Sequence, residues 1–164
     1  MKIRRNGRRQ LLRVEFLEPR HLLTGLPIIS EFMADNNNSL LTGSDQAADW
    51  IEIFNSGDSA IDLEGWHLTD DADQLSQWTF PSTILEAGQH LVVFASSCEY
   101  PGVQCAKPPE ELHTNFSLDA EGDYLALVQP DGVTVVSAYG PTNNEYERQD
   151  EDVSYGVEFG VERF

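Results

Sequence analysis

Residues 49–69 read Asp-Trp-Ile-Glu-Ile-Phe-Asn-Ser-Gly-Asp-Ser-Ala-Ile-Asp-Leu-Glu-Gly-Trp-His-Leu-Thr. Apolar and polar residues alternate between turn formers, which predicts two short strands joined by a tight polar turn at Asn55 to Ser59. In the first strand Ile51 and Ile53 fall on one face, and Trp50, Glu52 and Phe54 on the other. In the second, Ile61 and Leu63 share a phase, while Trp66 and Leu68 are displaced from it by one residue, with Gly65 where the phase slips. A glycine at such a slip predicts a bulge that re-aims the side chains after it. Trp50, Ile51, Ile53, Gly65, Trp66 and Leu68 are therefore the expected structural anchors, with the two tryptophans filling a two-layer core.

Outward from this stretch the same logic gives a succession of short strands. Pro27 to Ala34 reads as a first strand, followed by a loop at 35–48 rich in Asn, Ser and Asp. After an acidic turn at 70–77, Trp78 to Pro81 is a short strand, and Leu91 to Ala95 is an unbroken apolar run expected to be buried on both faces. Leu112 to Leu118 reads as a short strand or edge segment. Tyr124 to Val128 and Val133 to Tyr139 form a hairpin turned by Pro130, Asp131 and Gly132, and Val153 to Val157 closes the fold. Eight or nine strands without helical periodicity predict an all-β, antiparallel sandwich over residues 27–157. Residues 1–26 are expected to be a basic leader outside the fold, and 158–164 the start of a linker or a truncated end. A domain of this size buries about two thirds of its unfolded surface, enough to fold without metals or disulfides.

A resemblance sharpens this expectation. Asp-Trp-Ile-Glu-Ile-Phe-Asn-Ser-Gly from Asp49, Asp-Leu-Glu-Gly-Trp-His-Leu-Thr-Asp-Asp from Asp62, Trp-Thr-Phe-Pro from Trp78, Leu-Glu-Ala-Gly-Gln-His-Leu-Val-Val-Phe-Ala-Ser from Leu85 and Leu-His-Thr-Asn-Phe-Ser-Leu from Leu112 follow one another in the family's order. They resemble the lamin-tail domain as it occurs in bacterial secreted and surface proteins. That resemblance implies an immunoglobulin-like β-sandwich used as an interaction module beside other domains. Separately, Leu17 to Arg20 with Leu22 and Leu23 resembles the Leu-Glu-Pro-Arg leader at the start of many large planctomycete exported proteins. It implies export to the cell surface or beyond. The alternative is a basic tail that binds an acidic partner. Leu22 to Ile29 is too short and too broken by Thr24, Gly25 and Pro27 to span a bilayer.

Charge restricts the partners. The net charge is -18, yet residues 1–20 hold seven basic side chains against two acidic ones, so three basic and 26 acidic residues remain beyond them. A body this acidic repels phosphate backbones, which argues against nucleic acid. The expected partner is a protein or a surface glycan. The two cysteines, Cys98 and Cys105, flank a Pro-Gly turn and suit a disulfide in an oxidising compartment. Free thiols and a zinc site are the alternatives, the latter short of a second pair of ligands.

Candidate chemistry is sparse. His21 lies in the leader, and His67, His90 and His113 lie on separate strands at no metal-ligand spacing, so partly exposed strand histidines are expected. No nucleophile elbow, phosphate loop or His-Glu-x-x-His occurs. Asp70, Asp71 and Asp73 crowd one turn as candidate calcium ligands, without the glycine and distal glutamate of an EF-hand; solvated turns are the alternative. No cofactor other than calcium is implied. Glu52 and Asn55 match the family's Glu-Ile-x-Asn pattern and read best as a cross-strand partner and a turn-satisfying amide. Asn37 and Asn115 stand in glycosylation acceptor triplets that read as chance. The expectation is a non-enzymatic adhesion or scaffolding module of an exported protein. The alternatives are an accessory domain of a larger surface enzyme and a calcium-binding adhesion domain.

Overall fold

The computed structural model describes residues 26–98, 110–140 and 146–157. Residues 1–25 of the leader read at 1–26, Cys105 and the end beyond Val157 lie outside these residues, so the expectations for all but the last residue of the leader, for the bridge to Cys98 and for the tail fall outside them too. Among the described residues the fold is all-β, in strands β1 (Pro27–Met33), β2 (Asp49–Asn55), β3 (Ile61–Asp62), β4 (His67–Thr69), β5 (Trp78–Thr79), β6 (Ile84–Leu85), β7 (His90–Ala95), β8 (Leu112–His113), β9 (Leu125–Val128), β10 (Val135–Tyr139) and β11 (Tyr155–Gly156). No helix among them is long and apolar enough to cross a membrane.

Two sheets form an immunoglobulin-like sandwich. One has the order β11-β1-β2-β7-β8 and the other β10-β9-β4-β5, with β3 and β6 paired as a small separate ribbon. Between the layers lie Ile51 and Ile53 from β2, Ile29 and Phe32 from β1 and Val93 from β7. Trp66, Leu68, Leu125 and Leu127 meet them from the opposite side. Ile29 and Phe32 are three residues apart and still face the same core. The register between β1 and β2 slips between Ile29 and Glu31, and that bulge changes the alternation of β1.

The deciding stretch therefore divides differently from its sequence reading. β2 lies at the centre of the five-stranded sheet, but the second predicted strand splits: β3 joins β6, and β4 joins the four-stranded sheet. Gly65 marks no bulge. It stands at φ +79° in a turn closed by the Trp66 N–H to the Leu63 carbonyl at 2.9 Å, and the chain changes sheet there. The apolar phase shifts because Leu63 and Trp66 reach the core from two different elements. Trp50 also departs from the reading. It packs with Met33 and Phe94 on the outer face of the five-stranded sheet, whereas Trp66 lies between the layers.

Three further differences concern strands. There are eleven among the described residues rather than eight or nine, because β6 went unread and one predicted strand became two. The strand buried along its whole length is β9 rather than β7. Ala72 and Leu75 cover the outer face of β9, while His90 at the start of β7 is exposed. β8 runs parallel to β7 through Val93–Leu112 and Phe94–His113, an exception in an otherwise antiparallel sheet. The hairpin of β9 and β10 turns as read, with Gly132 N–H donating to the Gln129 carbonyl at 3.0 Å.

These contacts predict a ranking among glycine substitutions. A Cβ on Gly88, at φ +72°, meets nothing within 4 Å, so Gly88→Ala costs only the left-handed backbone, about 1 kcal/mol. A Cβ on Gly156 would stand 2.5 Å from the Ser30 carbonyl oxygen and force β11 off β1. Urea unfolding should show Gly156→Ala as the more destabilising of the two; equal costs would mean that β11 adds little to the fold.

Candidate functional site

The 35–48 loop is organised by a single buried amide. Asn36 donates through Nδ2 to the carbonyls of Leu40 and Ala48, and its Oδ1 accepts from the backbone N–H groups of Ser39 and Leu40. Such a side chain substitutes for secondary structure, because each buried loop group needs a partner. The loop is fastened at two further points. Asp152 accepts from the N–H groups of Asn37 and Asn38 at 2.9 Å each, and Glu111 Oε1 accepts from Gly43 N–H at 2.6 Å.

Beneath the loop tip lies His113, 2 % exposed. Its Nδ1 is 2.9 Å from Ser96 Oγ, its Nε2 is 3.2 Å from Glu111 Oε2, and its ring stacks on Phe94 at 5.3 Å. This corrects the expectation of partly exposed histidines for His113 alone, since His67 is half-buried and His90 exposed: the parallel pairing of β8 with β7 lays His113 over Phe94 and out of solvent. The Ser96, His113 and Glu111 side chains thus tie β7, β8 and the 35–48 loop together. His67 and His90 lie elsewhere. His90 Nδ1 is 2.8 Å from Glu52 Oε1, which also accepts from Ser30 Oγ at 2.7 Å, so Glu52 links β1, β2 and β7 on the outer face of their sheet. Asn55, fully buried, donates to the carbonyls of Ser59 and Leu85 and accepts from Gly57 N–H.

Loop, β7 end and β8 together enclose a cavity of about 310 Å³. Its lining includes Thr42, Gln46, Asp49, Ser96, His113 and Ser117. Asp49 stands out. Its Oδ1 accepts from Asn36 N–H at 3.2 Å and its carboxylate from Leu118 N–H, yet burial, with help from Asp35, pushes it up to about 6. Asp123 is likewise pushed up to about 6, by burial first and then by Asp70 and Asp119. Between them lies Tyr146, whose hydroxyl is pushed well above the ordinary phenol range by burial and by the Asp123 and Asp49 charges. Sequence reading missed Asp49, which there was only the first polar residue of a strand.

The calcium candidates Asp70, Asp71 and Asp73 engage separate partners. Asp71 Oδ1 accepts from Asp73 N–H at 2.8 Å and its Oδ2 from Gln74 Nε2 at 3.1 Å, which is the pattern of a self-closed turn. Asp70 instead stands near Asp123, with its own carboxyl pushed up by burial. Among the described residues no three His, Cys, Asp or Glu side chains come together in a way that could hold a metal ion.

The family model described as Lamin Tail Domain matches residues 24–143. The chain belongs to the lamin tail domain family. Members are immunoglobulin-like, non-catalytic domains typically used for protein interaction, which accords with a sandwich whose Ser96, His113 and Glu111 hold strands together. A search of curated proteins returns no match.

Asp49 and Asp123, two of the three carboxyls that burial raises in this lamin tail domain, give stability a pH dependence of definite sign. Between the unfolded value of 3.8 and the folded value of about 6 the native state binds more protons than the unfolded one, so stability falls as pH rises through 6. Allowing for solvent screening, the chain should be about 1 kcal/mol more stable at pH 5 than at pH 7.5 in urea unfolding at fixed ionic strength. Asp62, Asp131 and Asp152 are held below the usual carboxylate range by hydrogen bonds, and their opposing effect sets in only below about 4. Asp49→Asn should flatten part of the slope; an unchanged slope would mean that Asp49 ionises as freely folded as unfolded.

Proposed function

We propose that this lamin tail domain is a non-enzymatic adhesion or scaffolding module of an exported protein, acting at the cell surface on a protein or surface glycan. One observation carries the reading beyond the family. Arg148 is the single Lys or Arg among the described residues, and it is already 3.3 Å from Glu121. A surface so uniformly acidic attracts cationic partners, repels nucleic acid and gives association a strong salt dependence. The leader motif at Leu17 to Arg20 supports export. The cysteine pair supports an oxidising destination, where Cys98 and Cys105 would bridge.

Intact producing cells test both halves of the reading. An antibody against the domain should label unbroken cells, and purified full-length protein added to cells lacking its gene should bind them, with binding reduced several-fold between 50 and 300 mM salt. Labelling that requires lysis would remove the surface assignment. Absence of cell binding at every salt concentration would remove the adhesion reading.

A further inference from the structure

Asp49 lines the cavity at the first position of β2, and two backbone N–H groups, those of Asn36 and Leu118, hold its carboxylate. An ionised carboxylate accepts about four hydrogen bonds, so capacity remains on the cavity side. No Lys or Arg among the described residues reaches it, since Arg148 is occupied at Glu121. A half-buried anion with no Lys or Arg counter-charge among the described residues costs free energy, and here that cost shows as a carboxyl held up at about 6. The rest of the lining mixes polar and apolar groups: Thr42 and Gln46 come from the loop with Ala47 and Ala48, Ser96 and Ser117 face each other across an isolated bridge beyond β7 and β8, and both nitrogens of His113 are already engaged by Ser96 and Glu111. The site thus offers one carboxylate beside hydroxyl and amide groups in a cavity sized at the small end of ligand sites.

We infer that this cavity is a binding subsite for an organic cation, the ammonium or guanidinium head of an aliphatic stem, with Asp49 as the counter-charge. The inference rests on the interaction reading above and gives it a place and a partner chemistry. The head would lie against Asp49 with hydroxyl and amide oxygens of the wall completing its hydrogen bonds, and the stem would run out past Ala47 and Ala48, which also line the cavity. Two sources supply such a group: a free alkylamine, or a lysine or arginine side chain of a partner protein. Protonation of Asp49 abolishes the attraction. The other ionisable groups around it are Asp35 at the start of the loop, Glu111 and His113 at β8, and Tyr146, whose hydroxyl stays protonated.

The test is a titration of the ¹⁵N-labelled full-length protein with n-butylamine and, separately, with a capped Lys-Gly-Lys-Gly-Lys peptide at pH 7.5. Amide shifts should concentrate at Asn36, Ala47, Ala48, Asp49, Ser96 and Ser117, which locates the site without any substitution. Asp49→Asn should weaken binding at least tenfold. Asp58→Asn, which removes the same charge at the exposed turn beyond the other end of β2, should change it less than twofold. Affinity should also fall as pH drops through 6. Peptide binding at least a hundredfold tighter than that of butylamine assigns the site to a partner protein, and comparable binding assigns it to free amines. The inference is overturned if shifts spread over the acidic surface and both substitutions weaken binding alike, if neither probe shifts these amides, or if calcium alone does. Cell binding that persists unchanged in Asp49→Asn would likewise overturn the subsite while leaving the interaction reading intact.

Discussion

Everything in this fold is referred to the burial of Ile51 and Ile53, which are wholly inaccessible at the centre of the five-stranded sheet. Both neighbours of β2 are fixed by hydrogen bonds along its length, β1 on one side and β7 on the other. The alternation of β2 then determines which side chains meet Leu68, Leu125 and Leu127 across the sandwich and which face outward. A slip of one residue would exchange Ile51 and Ile53 for Trp50 and Glu52, placing a carboxylate between the layers. The bulge in β1 belongs to the same constraint, because it brings Phe32 back onto the face that Ile29 already occupies.

The outer face of that sheet carries its own polar logic. Glu52, with no Lys or Arg beside it among the described residues, is satisfied by Ser30 and His90, while Phe54 packs its ring 4.5 Å from that of His90. Asp49, three residues earlier on the same strand, is held by the backbone N–H groups of Asn36 and Leu118. The 35–48 loop packs beside it, and burial strains its carboxyl toward the neutral form.

What could be read in advance follows from the range of the forces involved. Alternation in residues 49–55 and the Pro130-Asp131-Gly132 turn are local, and both were legible in the chain. The sheet change at Gly65 was not, because a positive-φ turn and a bulge leave the same mark on apolar phase. β6 escaped notice because two residues show no periodicity. The parallel pairing of β8 with β7, the burial of His113 that follows from it and the desolvation of Asp49 depend on a loop held by Asn36, Glu111 and Asp152, residues far apart in sequence. No window of the chain displays them together. The two tryptophans were legible as anchors, but the layer each one anchors was not.

The pairing of β11 with β1 has a mechanical consequence. β1 begins at Pro27, and after Gly156 the Val157 N–H still bonds to the Ser30 carbonyl, so the start of β1 and the end of β11 point the same way on neighbouring antiparallel strands. Tension applied through both points would not shear the sheet, which loads all its hydrogen bonds at once. It would open the β1–β11 pair from its end, one bond after another. Under load this module should yield at low force and in small steps, lengthening first by the few residues of β11 while the layers around Ile51 and Ile53 stay closed.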